Sequence, residues 1–213
     1  MNLISLYSIP IWQSEYPEFE ENKELFLNIA EKYKQETPKK NLSTNVHGYQ
    51  SIETLHQVSE LSSLFQYICD MCFKSTMDLD FVECDIALTS AWLNVNDSRQ
   101  CKNLKHIHKD TFSGVFYLKV PDKSGNLIFE NCAVNPMWNG LNLCSQKNQF
   151  TASTVNIDPI EGNIILFPSY LPHLVENNEH DEERISISFN LIALPKGYIN
   201  YPDKNTMCDI EKT

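Results

Sequence analysis

Arg184-Ile185-Ser186-Ile187-Ser188-Phe189-Asn190 alternates polar and apolar side chains without a break. A period of two is the signature of a β-strand with one apolar and one polar face. Stretches 86–95, 113–120, 126–130, 154–157 and 163–167 share this character: each is short, β-branched or aromatic, and often alternating. Turn chemistry separates them at Asp97-Ser98, Pro121-Asp122-Lys123-Ser124-Gly125, Asp158-Pro159 and Glu161-Gly162. His173, after Phe167-Pro168-Ser169-Tyr170-Leu171-Pro172, opens one more strand.

Upstream of Asp80 the period changes. In 18–34, Phe19, Leu25, Phe26, Ile29 and Tyr33 recur at helical spacing, and Thr37-Pro38 stops the helix. A second helical run, 52–77, carries Leu55, Val58, Leu61, Leu64, Phe65, Ile68, Cys69, Cys72 and Phe73. Residues 45–51 between them include a glycine and read as a turn. Two helices followed by many short strands describe helices packed on one side of an antiparallel sandwich or barrel. Segment 132–150, with Trp138-Asn139-Gly140, reads as a loop over one mouth, and the tail after Pro195 as a surface arm.

Composition limits the function. Among 213 residues, 17 Lys+Arg face 28 Asp+Glu, a formal charge of −11. Nucleic-acid binding needs clustered cations and anionic membranes attract them, so both partners are excluded. The hydrophobic fraction of 42% is enough for a packed core. No apolar run reaches membrane-spanning length, and Met1-Asn2-Leu3-Ile4-Ser5 lacks the basic start of a signal peptide. Seven cysteines without framework spacing predict free thiols and a cytoplasmic location.

The chemistry concentrates in a few residues. His106 and His108 sit two apart, so in an extended segment both imidazoles face one side and reach one metal ion; Asp110 continues that face. His173 is the third histidine, and Arg184 follows it by eleven positions. Two or three protein ligands on one face leave open positions for a bidentate keto-acid and for O2. The far carboxylate of such a keto-acid needs a planar, permanently charged fork, which arginine supplies. Ser186, on the same face as Arg184, adds a hydroxyl donor.

The chain resembles 2-oxoglutarate/iron(II) oxygenases related to prolyl 4-hydroxylases, a group found in marine bacteria and their phages. The matching residues begin with Trp92-Leu93-Asn94, Asn103-x-x-His106-x-His108 and Ser113-Gly114-Val115-Phe116-Tyr117-Leu118. Ser124-Gly125-Asn126-Leu127-Ile128-Phe129, then the stretch from Phe167 to Val175, then Arg184 to Asn190 complete the likeness. It implies a double-stranded β-helix, a cupin-like jelly-roll core, holding Fe(II) at its open end. It also implies that 2-oxoglutarate is the cosubstrate, bound by Arg184 with Ser186, Tyr117 and Asn94. One domain would then span 1–213, with a helical support region at 1–80, a jelly-roll core at 81–194 and an arm at 195–213.

The departure lies at the metal. The wider superfamily uses His-x-Asp, whereas here His108 stands at the Asp position. One reading takes His106, His108 and His173; the other takes His108, Asp110 and His173. Strand register favours the first, which is preferred, and charge balance favours the second. Cys69-x-x-Cys72 lies on an apolar helical face and reads as structural, and His47, His56 and His180 have no companions.

Two functions follow. The first is a dioxygenase that hydroxylates a prolyl peptide or small amino-acid-like substrate, releasing succinate and CO2. The alternative is a cupin-like metal-binding jelly-roll with a binding or phage accessory role. Arg184 with Ser186 discriminates, because a plain cupin has no need of a guanidinium there.

Overall fold

The computed structural model describes residues 8–40, 44–97, 100–131, 133, 148 and 150–198. The elements run β1 (Trp12–Glu15), α1 (Phe19–Glu36), β2 (Asn45–Val46), β3 (Tyr49–Gln50), two 3₁₀ turns (Leu55–Gln57 and Ser59–Leu61) and α2 (Ser62–Asp78). The strands that follow are β4 (Cys84–Asn96), β5 (Lys102–His106), β6 (Phe112–Lys119), β7 (Leu127–Glu130), β8 (Thr154–Ile157), β9 (Asn163–Pro168), β10 (His173–Val175) and β11 (Arg184–Pro195). They form a six-stranded sheet, β1-β9-β6-β11-β4-β3, and a five-stranded sheet, β2-β5-β10-β7-β8. Every pairing between named strands is antiparallel. This is the jelly-roll that the strand pattern and the resemblance imply.

The six-stranded sheet is covered on both faces. Phe116, Leu118, Ile164, Leu166, Ile187 and Leu93 point one way and pack with Phe26 and Ala30 of α1 and Leu64, Ile68 and Cys72 of α2. Phe116 anchors this layer, taking the rings of Tyr16, Phe19 and Phe26 edge-on at 5.8–6.0 Å. Each such pair adds about 0.5–1.5 kcal/mol beyond burial. The opposite parity, Val115, Tyr117, Ile165 and Phe167, packs with Leu127 and Phe129 of the five-stranded sheet. Gly114 makes the sheet's close packing possible: a Cβ there would collide with the Phe189 ring and lie 2.5 Å from the Ile165 carbonyl oxygen.

Helix α1 extends two residues beyond the predicted end and stops at Thr37, whose extended backbone is what a residue before proline adopts. The Thr37 N–H and hydroxyl both donate to the Tyr33 carbonyl. The 52–77 run is not one helix. Its first ten residues hold the two 3₁₀ turns and no α-helix, because Ser51 and Glu53 bond instead to β4: Ser51 N–H to the Leu93 carbonyl and Ala91 N–H to the Glu53 carbonyl. The predicted turn at 45–51 contains two short strands, β2 and β3, that join different sheets. Cys72, Cys84 and Cys101 form no disulfide, but Cys69 is disulfide-bonded, and not to Cys72, which corrects the expectation of thiols throughout. Trp138 and most of the 132–150 loop, like the arm beyond residue 198, lie outside the described residues. Among those residues, no helix is long and apolar enough to cross a membrane.

Candidate active site

Both sheets deliver histidines or donors to one cavity of about 340 Å³. His173 opens β10 in the middle of the five-stranded sheet, paired with His106 of β5 on one side and Phe129 of β7 on the other. His106 is the last residue of β5, so His108 lies beyond the strand end rather than on the extended segment predicted from the two-residue spacing. It is held there by its N–H, which donates to the Ser169 carbonyl at 2.9 Å. The three rings are nevertheless brought together, with centroids 4.4–5.2 Å apart and one nitrogen from each within 4.8 Å of the others. Two nitrogens each about 2.1 Å from a shared ion are at most about 4.2 Å apart, so small ring rotations close the set on a metal.

The ring orientation suits ligation. The His106 Nδ1–H donates to the Leu104 carbonyl at 2.7 Å, and the His173 Nδ1–H donates to the Leu171 carbonyl at 2.9 Å. A carbonyl only accepts, so each Nδ1 carries the proton and each Nε2 keeps its lone pair for a metal. Burial pushes the His173 imidazole down to about 3. Burial, with the neighbouring His106, pushes His108 down to about 4, opposed by the Glu53 carboxylate. Both imidazoles are therefore neutral at pH 7. Asp110 is not in the cluster; its carboxylate accepts from the Thr89 hydroxyl at 2.8 Å.

At the other end of the cavity stands Arg184, only 4% exposed. Its Nη1 donates to the carbonyls of Ser124 (2.8 Å) and Gly125 (3.0 Å). Those carbonyls are presented by a turn that needs glycine: Gly125 has φ +86°, and a Cβ there would strike the Glu176 and Asn177 carbonyls. The Nε–Nη2 edge of the guanidinium has no partner among the described residues, and no carboxylate of those residues is within ion-pair reach. A buried charge without a counterion is costly, so this edge is built for an anion that arrives from outside. The hydroxyls of Tyr117 and Ser186, which also line the cavity, are likewise unpartnered among the described residues. Burial raises Tyr117 to about 12, against the pull of Arg184, so it remains a donor. Asn94 donates through Nδ2 to Ser188 Oγ at 2.9 Å and leaves a buried Oδ1 free. The donors fit a metal and a dicarboxylate side by side.

Residues 90–190 match the family model described as "Putative 2OG-Fe(II) oxygenase". This segment is a 2OG-Fe(II) oxygenase domain. The chain is thus an enzyme whose cofactors are Fe(II) and 2-oxoglutarate, and O2 is its oxidant. Solved structures share the fold at low identity. The α-ketoglutarate-dependent epimerase SnoN from nogalamycin biosynthesis superposes with a TM-score of 0.63 at 10% identity, covering 86% of this chain and 78% of its own. A prolyl-4-hydroxylase of Pseudomonas putida gives 0.60 at 13% identity, covering 86% and 93%. A Trichoplax adhaerens prolyl hydroxylase, solved with a hypoxia inducible factor peptide, gives 0.57 at 14% identity, covering 85% and 83%. A search of curated proteins returned no match.

Several lining residues of the oxygenase escaped the sequence reading. Ser188 and Asn190 share the parity of Arg184 and Ser186 on β11, so the alternation already pointed to them. Gln50 and Glu53 carry no local signal; only the docking of their segment on β4 takes them to the cavity.

Proposed function

We propose that the oxygenase holds Fe(II) on His106, His108 and His173 and grips the distal carboxylate of 2-oxoglutarate with Arg184, helped by Ser186, Tyr117 and Asn94. The observation that carries this is one cavity lined by three converging imidazoles and a buried guanidinium whose Nε has no partner among the described residues. Three neutral ligands leave half of an octahedral metal's positions for the keto-acid and O2. Iron bound there supplies oxygen activation, with 2-oxoglutarate oxidised and split to succinate and CO2 while a substrate C–H becomes C–OH. The chain's own residues do the rest: Arg184 fixes the keto-acid's orientation, the Leu104 and Leu171 carbonyls hold two imidazole tautomers, and Phe167, Val115 and Leu127 line the cavity with apolar surface that limits water. A single domain spanning the whole chain is the organisation this reading uses, the helices stiffening the sheet that bears Arg184.

The substrate class proposed is a prolyl peptide or small amino acid. A metal-binding role without keto-acid chemistry leaves Arg184 without a purpose. The test is incubation of the Fe(II)-loaded protein with 2-oxoglutarate, O2 and a panel of prolyl peptides and free amino acids. Succinate release matched by a one-oxygen mass gain in a panel member is expected. Succinate release that no panel member stimulates would reject this substrate class.

A further inference from the structure

Besides its imidazoles, the cavity has two charged side chains among its described lining residues, Arg184 and Glu53. The register of β4 orders them. Arg184 pairs with Asn96, Ser186 with Asn94 and Ser188 with Trp92, while the Glu53 carbonyl accepts the Ala91 N–H at 3.3 Å. Five steps of β4, about 16 Å, therefore separate the level of Arg184 from that of Glu53. The histidines lie towards the Glu53 end: the Trp92 indole and the His108 ring are 5.9 Å apart. A keto-acid stretched from Arg184 to the histidines fills the inner half, so Glu53 meets whatever lies beyond them.

We propose that Glu53 selects a substrate bearing a cationic side chain, an ammonium or guanidinium on an amino acid or short peptide. This rests on the oxygenase reading above and deepens it. Lys40 Nζ holds Glu53 Oε1 at 2.5 Å but does not line the cavity, and Oε2 has no donor among the described residues. With both partners of the pair about two-fifths exposed, water screens the pair, and Oε2 keeps its capacity to accept from a second cation. The backbone behind Glu53 is fixed by the Thr54–Ala91 bridge and the bond from Leu93 N–H to Ser51 Oγ, so the carboxylate stands on a rigid support. Trp92, one step along β4 from Ala91, also lines the cavity, and an indole can add to the binding of a cation there. The chain's formal charge of −11 favours encounter with cations in general.

The experiment compares charge-matched pairs on the Fe(II)-loaded full chain: lysine against norleucine, arginine against citrulline, and the corresponding X-Pro dipeptides, read by stimulated succinate release. The cationic member of a pair should have an apparent constant about tenfold lower, the size of one hydrogen bond to a charged group. Glu53→Gln should reduce that preference to near unity, and Lys40→Met should sharpen it by freeing Oε1. A neutral member that performs as well in the wild type, a panel in which nothing stimulates turnover, or a preference that survives Glu53→Gln would each overturn the proposal. Binding of 2-oxoglutarate without substrate is followed in parallel. Its absence in the wild type would defeat the oxygenase reading, and its presence with no charge preference would defeat only the role of Glu53.

Discussion

The two faces of the six-stranded sheet carry opposite chemistry on the same strands. Towards the helices, β4, β6, β9 and β11 present Leu93, Phe116, Leu166 and Ile187, a dry layer close to fully buried. Towards the five-stranded sheet, β4 and β11 present Asn94, Asn96, Arg184, Ser186 and Asn190, also buried but polar, with the half-buried Ser188 among them, and Asn94, Asn96 and Arg184 have unmade hydrogen bonds. The first face gains stability from area removed from water. The second gives stability up, because buried polar atoms without partners each cost free energy. One sheet thus stores its stability on one side and its binding capacity on the other, one residue apart in sequence.

Substitutions on the two faces should separate these properties. Phe116→Ala, on the helix side, removes a fully buried ring contacting three others and should lower unfolding free energy by about 3–5 kcal/mol in denaturant titration. An effect below 1 kcal/mol would mean that the helical layer is not the stabilising one. Arg184→Met, on the cavity side, should weaken 2-oxoglutarate binding about a hundredfold while changing stability by less than about 1 kcal/mol, since it removes an uncompensated buried charge as well as two bonds to carbonyls. A large loss of stability without loss of affinity would invert the comparison. Ser186→Ala should cost about three- to tenfold in 2-oxoglutarate affinity, the size of one hydroxyl donor; binding calorimetry that finds no change would remove the serine from the cosubstrate site.

A pH titration sharpens the same contrast. His173 and His108 sit at about 3 and about 4 in the fold against an ordinary 6.5. Between those values the unfolded chain takes up protons that the folded site refuses. Metal-free protein should therefore lose stability as pH falls from about 6.5 to 5, and these two groups should contribute no pH dependence above 7. A denaturation midpoint that is flat from pH 7 to 5 would place the imidazoles in a wetter setting than the structure gives them.

The long strands are legible because alternation is strong where a sheet is covered on both sides by different chemistry: 86–95 lies within β4, 113–120 within one residue of β6, and 184–190 within β11. Strand β8 matched its predicted bounds. Strands β1, β2 and β3 are two to four residues long, too short for a period to register. The 3₁₀ turns at 55–61 carry apolar residues at spacings that a helix shares, so only the bonding of the preceding Ser51, Glu53 and Thr54 to β4 separates them from α2. In the site, spacing identifies His106, His108, His173 and Arg184 as candidates, but no single extended segment carries both His106 and His108: His108 stands after the strand has ended, with its N–H bonded to Ser169. Glu53 illustrates the limit, since its place in the cavity depends on contacts 38 positions away in sequence, between Glu53 and Ala91.

The most direct test of the site is anaerobic titration of the Fe(II)-loaded protein with 2-oxoglutarate, followed by the visible charge-transfer band of a chelated keto-acid. The band should appear in the wild type and vanish in Arg184→Ala at the same concentrations, with iron still bound in both. A band of equal strength in Arg184→Ala, or iron bound without any band in the wild type, would contradict the account.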